Sequence, residues 1–207
     1  MKAKETNTLP KYPALYQINT RVWLTELAKS LGRPATLDDI PDAELDRLAQ
    51  MGFDWVWFLS VWQTGPAAQK VSRSNGGWRK EFQETLPDLR EEDIAGSGFA
   101  ITGYTVHSSL GGDHALARLR QRLTKRSLRL MLDFVPNHMA PDHPWVQQHP
   151  DYFIQGNDGD LARAPQNYCR LQTGKGSLVF AYGRARISMA GLTHCSSIMA
   201  SQSCSNR

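Results

Sequence analysis

The chain has 207 residues, long enough for one domain with a real core. Hydrophobic content of 41%, charged content of 21% and a net charge of +4 are ordinary for a folded globular protein and favour neither disorder nor nucleic acid. No apolar run approaches the roughly 20 residues of a membrane span, the amino terminus lacks the apolar core of a secretory signal, and Cys169, Cys195 and Cys204 fit neither a zinc spacing nor a disulfide framework, so the expected location is the reducing cytoplasm.

Residues 1–14 are polar, contain Pro10 and Pro13, and read as a lead-in segment. Leu15 to Trp23 is rich in aromatic and β-branched residues and reads as a strand, followed over Leu24 to Leu31 by one or two helical turns that Gly32 and Pro34 close. Asp42 to Met51 is a helix with acidic residues at its amino end and Gly52 in the position of a terminating glycine. Phe53 to Trp62 is a largely apolar strand, as expected where both faces are packed. Residues 63–98 form a long connection, in which Leu86 to Ala95 could add a short helix. Gly111, Gly112 and Asp113 introduce a helix with Asp113 as its cap, an apolar stripe at Ala115, Leu116, Leu119 and Leu123, and arginines at 118, 122, 126 and 129 that read as a solvated face. Leu128 to Val135 is the next strand. The order strand, helix, strand, connection, helix, strand implies α/β architecture with a parallel sheet. No phosphate-binding glycine motif follows the early strands.

The chemistry concentrates at the end of the third strand, where Asp133, Pro136, Asn137 and His138 follow a hydrophobic run. Carboxyl ends of parallel strands are where α/β proteins place reactive groups. A carboxylate, an amide and an imidazole together can orient a polyhydroxylated ligand or hold a hard cation through oxygen. The plainer alternative is an aspartate that caps a loop and a histidine satisfied by backbone. Trp55, Trp57, Trp62, Tyr104, Trp145, Tyr152 and Phe153 offer flat rings that complement sugars, or simply core. His138, His143 and His149 are not at a zinc spacing.

In order and spacing, Gly98-Phe-Ala-Ile-Thr-Gly-Tyr104, Leu110-Gly-Gly-Asp113, the Leu/Arg helix, Leu132-Asp-Phe-Val-Pro-Asn-His138 and Pro144-Trp145 resemble the alpha-amylase family, glycoside hydrolase family 13. The resemblance implies an incomplete (β/α)8 TIM barrel, about its first three βα units (15–138) plus the start of the small domain inserted after strand three (139–186). It implies that His138 binds the sugar at the cleavage point, that Tyr104 stacks on that sugar, and that Asp133 supports the network. Asn137 matches a position that ligates calcium in some members. The partner would be an α-glucan, sucrose or another α-glucoside, with no nucleic acid and no membrane. The family usually has aspartate before the tyrosine, where this chain has Gly103.

Family members cleave α-glucosidic bonds with retention, using an aspartate nucleophile, a glutamate acid/base and a third aspartate after strands four, five and seven. The first two must stand about 5–5.5 Å apart across the bond. No residues here match those regions, and a full barrel takes about 250 residues. Residues 187–207 hold six serines, two of the three cysteines and no acidic residue. Codons permitted for Ala190 through Met199, read one base earlier, can spell Trp-Pro-Asp-Thr-Leu-Gln-Leu-Asn-Tyr, which resembles the family here. The tail is therefore expected to be frameshifted, and the chain to be a fragment of a glycosidase or transglycosidase with no catalytic residue of its own. The alternatives are a noncatalytic carbohydrate-binding fragment and a nonfunctional gene product.

Overall fold

The computed structural model describes residues 10–182 and 198–199. The frameshift reading falls on a tail that, apart from Ile198–Met199, lies outside the described residues, as does most of the lead-in segment. The chain divides into two compact units, residues 1–61 with 106–133 and residues 62–105 with 134–207.

The first unit contains β1 (Leu15–Asn19), α1 (Thr20–Leu31), α2 (Asp42–Gln50) and β2 (Trp55–Leu59). Its second chain segment adds α5 (Gly112–Thr124) and β5 (Arg129–Leu132). The three strands form one sheet in the order β1-β2-β5, parallel throughout, with Leu15 opposite Trp55 and Trp55 opposite Arg129. The predicted parallel order is therefore the observed one. The first strand is shorter than expected. The Asn19 side chain accepts the Val22 N–H at 3.4 Å, turning the backbone into α1 four residues before the expected strand end. The second strand also stops early, because Ser60 takes a left-handed conformation (φ 59°) that no strand continues through. Along β2, Val56 and Phe58 are fully buried while Trp55, Trp57 and Leu59 are only half-buried, so this unit covers one face of its sheet rather than both. That covered face shares the unit's buried set with Leu45 and Leu48 of α2 and Ala115, Leu119 and Leu123 of α5.

The cap of α5 is Gly111 (φ 95°), not Asp113. Asp113 lies in the first turn and accepts the Val106 N–H at 2.8 Å, which closes the short segment leading into the helix within the first unit. The arginines of α5 are not a merely solvated face. Arg118, Arg122 and Arg126, spaced one helical turn apart, pair in order with Asp38, Asp42 and Asp46, spaced likewise (Nε–Oδ1 of 2.8, 2.9 and 2.6 Å). The arginines hold the Asp38 and Asp42 carboxyls below the usual carboxylate range. A depressed folded value means the stabilisation is complete above the unfolded carboxylate pKa and is lost as pH falls through the folded one. Thermal unfolding of the Asp38→Asn/Asp42→Asn/Asp46→Asn variant should therefore match wild type at acid pH, fall below it at neutral pH, and lose that difference in salt near 1 M.

The second unit contains β3 (Trp62–Thr64), α3 (Pro66–Ser74), α4 (Gly76–Thr85), β4 (Ile101–Val106), β6 (His138–Met139), α6 (Pro144–Gln148), β7 (Gln155–Gly156), α7 (Asp158–Arg163), β8 (Tyr168–Thr173), β9 (Gly176–Ala181) and β10 (Ile198–Met199). β3 pairs with β4, β10 runs antiparallel to β6, and β7-β9-β8 is an antiparallel sheet. Most of the expected connection over 63–98 is thus helical. Gly65 and Asn75 sit at helix caps: Pro66 takes the first position of α3 after Gly65, and the Asn75 side chain accepts the Trp78 N–H at 3.1 Å. The expected helix over Leu86–Ala95 is only a 3₁₀ turn, Glu91–Asp93. The unit's core gathers Ile101, Val135, Met139, Val146, Phe153 and Phe180.

Candidate active-site corner

Asp133 lies one residue beyond β5 and is 7% exposed. Its Oδ1 accepts the Trp57 indole N–H at 2.9 Å and its Oδ2 accepts the Ser60 backbone N–H at 2.5 Å. The carboxylate therefore binds the end of β5 to the end of β2 and holds the left-handed turn at Ser60. This is the loop-capping arrangement that the sequence left open beside the functional one.

Tyr104 stands on β4. Its hydroxyl accepts the Val135 N–H at 2.9 Å, its ring meets Trp62 edge-on at 5.3 Å, and Phe134 stacks on it at 6.0 Å. Burial raises the phenol pKa and the Val135 bond offsets part of the rise. Gly103, where the family usually has aspartate, would meet nothing within 4 Å if it carried a Cβ. Tyr104 is thus positioned by Val135 and Trp62, with open space at Gly103. Phe134 is 78% exposed, unusual for a ring beside a core segment.

His138 begins β6. Burial pushes its imidazole below the ordinary value, and a hydrogen bond to the Phe99 backbone partly opposes that. Asn137 is exposed, with its Nδ2 3.4 Å from His138 Nδ1. Among the described residues no three His, Cys, Asp or Glu side chains converge. Sequence reading passed over Phe99, a ring 40% exposed whose backbone touches His138. The Ala140 N–H also bonds the Ile101 carbonyl at 3.0 Å, so 138–140 runs beside 99–101. The signal for Phe99 was an aromatic residue just before the β4 run. Tyr104 and His138 belong to the second unit and Asp133 to the first. A cavity of about 320 Å³ along β1, lined by Tyr16, Trp23, Glu26, Glu44 and Arg47 among others, includes none of these residues.

The family model "Alpha amylase, catalytic domain" matches residues 36–175. The chain belongs to the alpha-amylase family. It is 35% identical over 144 residues to the alpha-1,4-glucan:maltose-1-phosphate maltosyltransferase of Burkholderia pseudomallei, covering 66% of this chain and 11% of that protein. Its identity to the protein of the same name from Salinibacter ruber is 32% over 142 residues, covering 65% and 20%. The chain thus spans between about a tenth and a fifth of these relatives (11% and 20%). Among solved structures, an isomaltulose synthase mutant of Erwinia rhapontici NX5 in complex with D-glucose aligns with a TM-score of 0.55 at 19% identity. That alignment covers 95% of this chain and 31% of the synthase, a likeness of fold. The fold is that of a partial barrel of this family, and the family's relatives are named for work on α-glucans. Among the described residues no helix is long and apolar enough to cross a membrane.

Proposed function

We propose that Phe99, Tyr104 and His138 form the sugar-binding corner of an alpha-amylase-family enzyme that acts on α-glucosidic bonds, and that the 207-residue chain alone performs no turnover. The observation that carries the reading is the family match over 36–175, which contains Tyr104, Asp133 and His138 at the positions quoted from the motif. In this reading His138 hydrogen-bonds a sugar hydroxyl. Phe99 and Tyr104 present ring faces to the hexose. Within the first unit, Asp133 keeps the ends of β2 and β5 in register. Residues 139–186 begin the domain inserted after the third strand, and the chain works in the cytoplasm. The ligand is an α-glucan or a smaller α-glucoside, the former favoured by the names of the relatives that are 30% or more identical.

The chain offers no pair of carboxyl groups at positions matching the family's nucleophile and acid/base, so bond cleavage has no agent here. A chromogenic α-glucoside incubated with the purified chain should release no chromophore above the buffer rate. Turnover that disappears in a His138→Ala variant would overturn the inactive part of the reading. Binding is tested separately by calorimetry with maltoheptaose. His138→Ala and Phe99→Ala should each weaken the affinity by about tenfold, the scale of losing one well-placed contact. Because burial lowers the His138 pKa, the imidazole is neutral at pH 7, and affinity should hold from pH 7 to 8 and fall only in acid. The second reading, a noncatalytic carbohydrate-binding protein, predicts the same binding.

A further inference from the structure

The second unit carries an aromatic surface that the corner around His138 does not use. Trp145 is 42% exposed and alone among the six tryptophans in being classed as exposed. Its ring meets Tyr152 edge-on at 5.6 Å, and Tyr152 in turn stacks flat on the exposed His149 at 4.7 Å, with planes 10° apart.

These rings are held rather than free. The buried His143 accepts the Trp145 backbone N–H through Nδ1 at 3.1 Å, which fixes the start of α6. Val146 and Phe153, next in sequence to Trp145 and Tyr152, are buried in the core. Gln147 Nε2 donates to the Gln172 carbonyl at 2.7 Å, fixing α6 to β8. Exposed rings ordinarily move into a core when the chain can rearrange. Here buried neighbours keep Trp145 and His149 at the surface, while Tyr152 between them is half-buried against the core, so little ordering remains to be done on binding.

The groups beside the rings select the ligand class. Asp151, adjacent to Tyr152, and Lys175 are both well exposed and lie 3.8 Å apart, too loose for a tight ion pair. Together they leave acceptor and donor capacity open, and their charges cancel. A flat apolar face with a charge-balanced polar rim suits a neutral polyhydroxylated ring and gives a phosphate chain no net attraction.

We propose that Trp145, Tyr152 and His149, with Asp151 and Lys175 at the rim, form a second carbohydrate-binding surface that takes a stretch of α-linked glucose away from the His138 corner. The choice of α-linked glucose rests on the functional reading above. The surface itself rests on the rings.

The test uses the whole chain and maltoheptaose. N-bromosuccinimide oxidises accessible indoles, so peptide mapping should find Trp145 oxidised first and protected by the sugar. Trp145→Ala should weaken the binding seen at this surface by about tenfold or more. His149→Ala, an exposed change that spares the core, should weaken it by less and guards against misfolding of the first variant. Oxidation of Trp145 at the same rate with and without maltoheptaose would overturn the proposal, as would wild-type affinity in both variants. Protection of Trp145 that survives His138→Ala and Phe99→Ala, where those changes do not affect affinity, would sink the corner reading and leave this surface standing. Loss of affinity in those two variants with no protection at Trp145 would do the reverse.

Discussion

Replacing Asp133 with alanine should destabilise the first unit by about 3–6 kcal/mol, the sum of two hydrogen bonds to a charged acceptor at about 1.5–3 kcal/mol each. The estimate follows from which groups are stranded. Trp57 Nε1–H and the Ser60 N–H both lose their acceptor at a site 7% exposed, where water is a poor replacement. The Ser60 loss has a second effect. A non-glycine residue at φ 59° needs its surroundings to hold it there, and the Oδ2 bond is one of the groups that do so. Asp133→Asn separates the two roles. Its one amide oxygen can serve Trp57 or Ser60 but not both, and the amide nitrogen then faces a donor, so a loss of about 2 kcal/mol is expected. Urea unfolding followed by tryptophan fluorescence measures both, since Trp57 itself reports the change. A loss under about 1 kcal/mol in the alanine variant would mean that other groups hold the strand ends together.

The same carboxylate shows what the sequence made legible. A titratable residue between an apolar run and a proline marks a strand end, and Asp133 does sit just past β5. Its partners were not legible, because Trp57 is 76 positions away and Ser60 is 73 away. Local patterns carry no information about which distant donor a side chain meets. The parallel order β1-β2-β5 was legible for the opposite reason: alternating strand and helix segments leave few other topologies. The helices over 66–85 were hidden by their own caps. Gly65, Asn75, Gly76 and Gly77 read as loop residues, and α4 buries none of its side chains, so no apolar stripe announced it. The arginines of α5 show a third case. Their spacing revealed one face of a helix, but the matching aspartates stand exactly 80 positions earlier in each rung, beyond any local window. Phe99 escaped because its nearness to His138, 39 positions on, is carried by a backbone contact that no local pattern announces.

Gly96→Ala should strongly destabilise the second unit, and it should weaken sugar binding with stability. Gly96 has φ +79°, and a Cβ there would lie 2.7 Å from the backbone carbon of Ala68 and from the backbone nitrogen of Gln69 in α3. The obstacle is helix backbone, which cannot turn aside as a side chain would. A left-handed alanine costs about 1–2 kcal/mol, and overpacking adds about 1–3 kcal/mol, for a total of about 2–5 kcal/mol. The close approach has a purpose in the fold. Ala68, Ala100 and Ala140 form a fully buried cluster of small residues, of which Ala100 directly follows Phe99 and Ala140 lies two residues after His138. Pushing α3 away from Gly96 opens that cluster and shifts the loop through Phe99 away from the imidazole. Maltoheptaose affinity should therefore fall by more than the tenfold expected for Phe99→Ala, because both contacts move together. Gly103→Ala is the control. A Cβ at Gly103 meets nothing within 4 Å, and alanine restricts the unfolded chain, so stability should be unchanged or higher by about 0.5 kcal/mol. Equal stability of the two variants would show that α3 yields at Gly96, and that the small-residue contact does not position Phe99 against His138.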